Sequence, residues 1–209
     1  MAQASRFWDK MADTYARRPI ADEEVYQIKL DTTRRYLRPE MSVFEFGCGT
    51  GGTALAHAPY VKHIEAIDFS ENMLAFARAA ANERGIDNVT FSNAEIAGYE
   101  APAGSFDVVL GMSILHLLEN KADVIAKVYR LLKPGGVFVS STACVGDTMK
   151  VFKLFAPLGQ RLGLLPQLDV MTTAELVASL RAAGFAVEHQ WQPARDQAVF
   201  IVARRPADR

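Results

Sequence analysis

Ten residues constrain this chain more than any others: Val43-Phe44-Glu45-Phe46-Gly47-Cys48-Gly49-Thr50-Gly51-Gly52. A short apolar strand runs into a glycine-rich turn, and a helix-compatible segment, Thr53 to Ala58, follows at once. Glycine allows a tight turn and lets the backbone come close to a ligand. A helix that starts after such a turn presents N–H donors with no partner inside the helix. The stretch therefore reads as a nucleotide-type binding turn, and the rest of the chain has to supply a sheet to carry it.

Two ligands compete for that turn. Gly47, Gly49 and Gly52 fit G-x-G-x-x-G, and Asp68 lies about twenty residues on, which is the dinucleotide fingerprint with its ribose-binding acid. The same stretch also reads E-x-G-x-G-x-G through Glu45, Gly47, Gly49 and Gly51. That pattern resembles motif I of the class I S-adenosylmethionine (SAM) methyltransferases. Glu45 favours the second reading. A carboxylate at the mouth of the turn repels a pyrophosphate in a partly dry site, and it suits a ligand with an ammonium and a sulfonium.

Taken in order, the chain alternates strand and helix. Trp8, Met11, Ala12 and Tyr15 recur at helical spacing over residues 5–18, and Pro19 ends that helix. A second helix is expected from Asp22 to Leu37, stopping before Pro39. The two helices either pack on the sheet edge or form a cap, residues 1–38, whose first helix closes over a ligand with Trp8 and Tyr15 facing in. Strands are expected at 42–46, 63–68, 89–92, 106–112 and 137–141. Helices are expected from an N-cap at Ser70 to Gly85, from Asn120 to Leu132, and from Thr173 to Ala183 behind a Thr172/Glu175 capping box. Lys133-Pro134-Gly135-Gly136 reads as a turn.

Phe185 to Gln190 alternates in polarity, which suits an edge strand. Ala198 to Ala203 is continuously apolar, which suits an interior one. The loop between them, Gln192 to Gln197, is too short for a parallel crossover. The expected fold is therefore α/β: one doubly wound, seven-stranded sheet in the order 3-2-1-4-5-7-6 with strand 7 antiparallel. Residues 1–209 form a single domain in this reading.

That arrangement also looks like the class I methyltransferase fold, and further stretches resemble the family. Trp8-Asp9-Lys10-Met11-Ala12-Asp13-Thr14-Tyr15 is similar to the start of its small-molecule branch. Asp68-Phe69-Ser70-Glu71-Asn72-Met73-Leu74 resembles the segment after strand two, Ser105-Phe106-Asp107-Val108-Val109 the start of strand four, and Leu132-Lys133-Pro134-Gly135-Gly136 the turn before strand five. The resemblance covers residues 7–142 well and is weak from Thr148 to Asp169. It implies SAM as cofactor, S-adenosylhomocysteine as product and a small-molecule acceptor. It also implies roles. Gly47, Cys48 and Gly49 bring the backbone to the methionine and ribose, with Tyr15 on the covering helix. Glu45 reaches the ammonium or caps the turn, and Asp68 takes the ribose hydroxyls. Phe69 and Met73 flank the adenine, while Asn93, Ala94 and Glu95 hold its amino group. Met112 and Ser113 border the reactive methyl.

Transfer from a sulfonium is an in-line displacement in which the protein mainly aligns nucleophile and methyl. His116, four residues past Met112, is the expected base or hydrogen-bond partner of the acceptor, or else a packing histidine. His57, His63 and His189 read as surface or strand-edge residues. An apolar segment, residues 148–169, reads as a lid, ordinary packing or a dimer contact. As a lid it hints at a lipophilic or aromatic acceptor.

Composition excludes other classes. A net charge of -1 offers no field for nucleic acid, where Lys and Arg supply most of the affinity. No run approaches the length that spans a bilayer, and no signal peptide is expected at the N-terminus. Two cysteines with neither metal spacing nor a disulfide framework point to a reducing cytosol, and no metal is expected. A homodimer is left open. The rivals are a nicotinamide-dependent oxidoreductase sharing the glycine turn, and a noncatalytic SAM-binding protein. Gly111-Met112-Ser113-Ile114-Leu115 stands where adenine or glutamine N-methyltransferases carry their N/D-P-P-Y/F signature.

Overall fold

The strands that read as continuous apolar runs take the interior of the sheet. The computed structural model describes residues 2–118, 120–148 and 170–207. The elements are α1 (Ala2–Arg17), α2 (Glu23–Arg34), β1 (Ser42–Phe46), α3 (Gly52–His57), β2 (His63–Asp68), α4 (Glu71–Glu83), β3 (Val89–Asn93), β4 (Phe106–Met112), α5 (Lys121–Leu131), β5 (Leu132–Thr142), α6 (Thr173–Ala182), β6 (Ala186–Trp191) and β7 (Val199–Arg204). The sheet order is β3-β2-β1-β4-β5-β7-β6. Strands β1 to β5 pair in parallel, and β7 runs antiparallel to both β5 and β6. The expected order and the reversed last strand are both present. β7 is buried along Val199 to Ala203, whereas β6 alternates exposed and half-buried residues, which is why β6 takes the edge.

Strand alternation sends successive side chains to opposite faces, so the sheet carries two cores. Phe44, Phe46, Val109, Phe138 and Ile201 pack with α5 and α6 on one face. Val43, Ile64, Leu110, Val139 and Phe200 pack with α3 and α4 on the other. Two helix starts follow the expected caps, at Ser70 and Thr172, and α2 adds a cap at Asp22. The Asp22 carboxylate accepts from Val25 N, the Ser70 hydroxyl from Met73 N, and Thr172 and Glu175 close a capping box.

Three expectations need correction. Lys133-Pro134-Gly135-Gly136 is no free turn but part of β5, which begins at Leu132. Register jumps there from Phe106↔Leu132 to Val108↔Val137. The excess residues bulge, yet Gly135 N still donates to Arg205 O and Arg205 N to Gly136 O, so pairing continues through the bulge. His57 is not a surface residue. It is fully buried at the end of α3, and burial with the nearby Arg34 cation pushes its pKa down to about 4. On α1, the predicted inner face is only partly covered: Ala12 is buried, while Met11 and Tyr15 keep exposures of 37% and 47%. The segment expected as a lid falls, from residue 149 to 169, outside the described residues.

Candidate active site

The glycine turn stands at the carboxyl end of β1, where ligands of open α/β sheets bind. Gly47 and Gly49 adopt φ of 65° and 54°, left-handed values that only glycine reaches cheaply. A Cβ on Gly47 would stand 2.7 Å from Ile114 Cγ1. The turn is pinned to β2 at two points: Cys48 N donates to Ile67 O at 3.0 Å, and Gly49 N to the Asp68 carboxylate at 2.8 Å.

Two adjoining cavities open here, of about 70 and 190 Å³, and they share Gly47, Asp68, Phe69, Ile114 and Leu117 as walls. The smaller one is closed by Trp8 and Tyr15 of α1 on one side and by Met73, Met112 and Ser113 on the other. Trp8 and Tyr15 meet edge to face at 6.3 Å. The helix that carries them is tied down through Asp9. The Ser70 hydroxyl donates to its carboxylate at 2.6 Å, and the Asn72 amide donates to its carbonyl at 3.1 Å. The larger cavity continues between the β3–β4 loop, Ala94 to Ala97, and the segment after β4 with Leu118 and Asn120.

Tyr15, Gly47, Gly49, Asp68, Phe69, Met73 and Met112 thus wall the smaller cavity, and Ala94 and Glu95 the larger. Four expected residues stand elsewhere. Cys48 is buried under the turn, and burial beside Glu45 and Asp68 raises its thiol pKa, so it stays a neutral thiol. Glu45 is 2% exposed and lines neither cavity. It accepts from Ala54 N–H at the start of α3. Asn93 is exposed, and its amide donates to Phe69 O at 3.1 Å, bracing the end of β2. His116 sits in a short turn after β4 among neither cavity's walls; its Nδ1 is buried without a partner, and burial lowers its pKa. The Ala94 N–H, expected at the adenine, donates to Asp68 O instead. The sequence reading missed Ile96, Ala97, Ile114, Leu117 and Leu118. The signal for them was their position just after β3 and β4, where the sheet's crevice lies.

The electrostatics are acidic. Asp68 is 8% exposed; burial raises its pKa although Ser70 N and Gly49 N both donate to it. Burial and the Asp68 charge push the Glu45 carboxyl up to about 8, and its Oε2 has no hydrogen-bond partner. The described walls of both cavities contain no lysine or arginine. A pyrophosphate would find repulsion and no counter-charge. A cationic nucleoside fits: apolar walls for a base, Asp68 for a ribose, and glycines that let the backbone close in.

Comparison with known proteins decides the family. Residues 43–136 match a family model described as a methyltransferase domain. A ubiquinone biosynthesis O-methyltransferase of Hahella chejuensis is 33% identical over 189 residues, covering 86% of this chain and 76% of that protein. The chain belongs to the class I SAM-dependent methyltransferases. An uncharacterized methyltransferase, YcgJ of Bacillus subtilis, is 32% identical over 102 residues, but the chain spans only 40% of that relative's length. The crystal structure of a Bacillus YcgJ protein superimposes with a TM-score of 0.72 at 19% identity, covering 87% of this chain and all (100%) of that one. The cofactor of this methyltransferase is therefore SAM.

Proposed function

We propose that this methyltransferase acts on a small, lipophilic or aromatic acceptor. The observation that carries the reading is the cleft itself, acidic at the nucleoside end and apolar where it meets Met112, Ile114 and Leu117. Bound in it, SAM supplies an already activated methyl group for in-line displacement. The protein's own task is alignment and exclusion of water. Gly47 and Gly49 give close backbone approach, Asp68 offers acceptor lone pairs beyond those used by Gly49 and Ser70, and Trp8 and Tyr15 cover the site. Helices α1 and α2 act in this reading as a cap on a single catalytic domain.

The Hahella relative is named for ubiquinone biosynthesis, and an aromatic ring acceptor agrees with the apolar cleft. Asp68 and Glu95, the carboxylates among the described walls, go to the cofactor in this reading, so the acceptor's own acidity is proposed to carry the deprotonation. No helix of the described residues is long and apolar enough to cross a membrane. The two buried free thiols, Cys48 and Cys144, suit a reducing compartment such as the cytosol.

Calorimetry with S-adenosylhomocysteine and with NADH tests the cofactor end. Binding of the first but not the second is expected, and Asp68→Ala should weaken it by about tenfold or more. A phenol and catechol panel with labelled SAM then tests the acceptor. Turnover confined to amines or carboxylates would overturn the aromatic reading.

A further inference from the structure

Seven glycines among the described residues take a positive φ, and one other residue does the same: Ser113, at 56°. That conformation crowds the Cβ of an L-residue, and glycine would meet the same backbone need without the crowding. Strain of this kind concentrates at functional sites. The main chain does not explain the serine. Its N–H donates to Ser141 O at 2.8 Å, which carries the β4–β5 pairing one residue past Met112. A glycine could make that bond equally well. A serine at this position therefore calls for a use of its side chain.

The side chain has a place to act. Ser113 is exposed, directly follows β4 and walls the smaller cavity. The walls beside it, Met112, Ile114 and Leu117, are apolar. Asp68 already accepts from Gly49 N and Ser70 N and serves the ribose in this reading, and Trp8 and Tyr15 belong to the covering helix. Within the described residues no hydrogen bond uses the Ser113 hydroxyl. A hydroxyl has one hydrogen to donate and rotates to suit its partner. An oxygen nucleophile can accept that hydrogen on one lone pair and attack with another.

We propose that the Ser113 hydroxyl donates to the phenolic oxygen of the acceptor and aims it at the methyl group. The assignment rests on the SAM-dependent, aromatic reading of the cleft. It adds to that reading the atom that is methylated and the residue that orients it. The phenolic proton leaves to solvent first, and a hydrogen bond to the oxyanion favours that ionised form. The oxygen then bonds to the methyl carbon as the carbon–sulfur bond breaks, and the electron pair of that bond stays on sulfur. The products are an aryl methyl ether and S-adenosylhomocysteine. Ser113 keeps its own proton throughout.

Two variants separate the hydroxyl from the backbone. Ser113→Ala removes the hydroxyl and leaves the crowded Cβ, whereas Ser113→Gly removes both. With labelled SAM and catechol, each is expected to lower kcat/KM for the acceptor by roughly five- to tenfold, while the affinity for S-adenosylhomocysteine in calorimetry changes by less than about twofold. In urea, Ser113→Gly should unfold at a midpoint no lower than the wild type, so its lost turnover does not come from a weakened fold. If either variant matches the wild type on catechol, the hydroxyl role is wrong while the SAM-dependent reading stands. A similar fall in affinity for S-adenosylhomocysteine would place Ser113 on the donor side and also overturn the proposal. A wild type that binds S-adenosylhomocysteine yet methylates neither catechol nor phenol removes the aromatic reading and this one together.

Discussion

Gly47 and Gly49 look equivalent in the sequence, yet the structure makes different demands on them. Both sit at positive φ, which costs a residue with a Cβ about 1–2 kcal/mol. A methyl on Gly47 also runs into Ile114 at 2.7 Å, whereas on Gly49 it would only touch Tyr15 at 3.9 Å. Gly47→Ala should therefore cost about 1–3 kcal/mol more than Gly49→Ala, read by urea unfolding of the ligand-free protein. Equal losses would mean that Ile114 gives way freely and that the turn is less tightly built than described. The same contrast shows what was legible at this scale. Residue type and spacing mark Gly47, Gly49, Asp68, Phe69 and Met73 as cavity walls. They do not say where a side chain points. Cys48 lies in the middle of the motif yet faces down into the core, and Asn93, at the end of β3, turns its amide back onto Phe69 O. Those directions are set by partners far along the chain, which a local pattern does not contain.

At the scale of elements, the loop between β3 and β4 is held by a helix. Lys127 of α5 donates to Ile96 O at 3.1 Å and to Ala97 O and Tyr99 O at 2.7 Å each, and it lies 3.3 Å from the Glu100 carboxylate. One ammonium thus gathers carbonyls of the loop whose Ala94 to Ala97 wall the larger cavity. With Lys127→Met those carbonyls lose a charged donor, and hydrogen bonds to charged groups are worth about 1.5–3 kcal/mol. The expected result is a KM for SAM raised by roughly five- to tenfold, with the acceptor KM unchanged and partial rescue by Lys127→Arg. A fall in kcat with both KM values unchanged would place Lys127 outside cofactor binding. Nothing in the sequence pointed to this lysine, because its partners lie about thirty residues away and a lysine on an amphipathic helix reads as solvated surface. Strand order was legible for the opposite reason. The apolar runs of β4 and β7 and the short loop before β7 state burial and direction locally. The bulge at Lys133 to Gly136 was not, since a Pro-Gly pair marks a bend whether or not pairing continues beyond it.

For the whole molecule, the buried acid sets how stability responds to pH. The Glu45 carboxyl titrates near 4.5 when unfolded and near 8 in the fold. Between those values the folded chain keeps a proton that the unfolded chain has lost. This group's contribution is therefore complete below about pH 4.5 and is lost as pH rises toward 8. The slope is about 1.4 kcal/mol per pH unit at most. His57 acts with the opposite sign. Its pKa falls from 6.5 to about 4 on folding, so its contribution is complete above 6.5 and is lost as pH falls through that window. The two effects oppose each other between about pH 4.5 and 6.5 and leave the Glu45 loss exposed from about 6.5 to 8. Glu45→Gln removes one effect and keeps the other. In urea unfolding at a series of pH values, the variant should gain on the wild type by a few kcal/mol between pH 5 and 8. If instead the two proteins track each other across the range, Glu45 is already ionised in the fold, and burial beside Asp68 does not hold a proton on it.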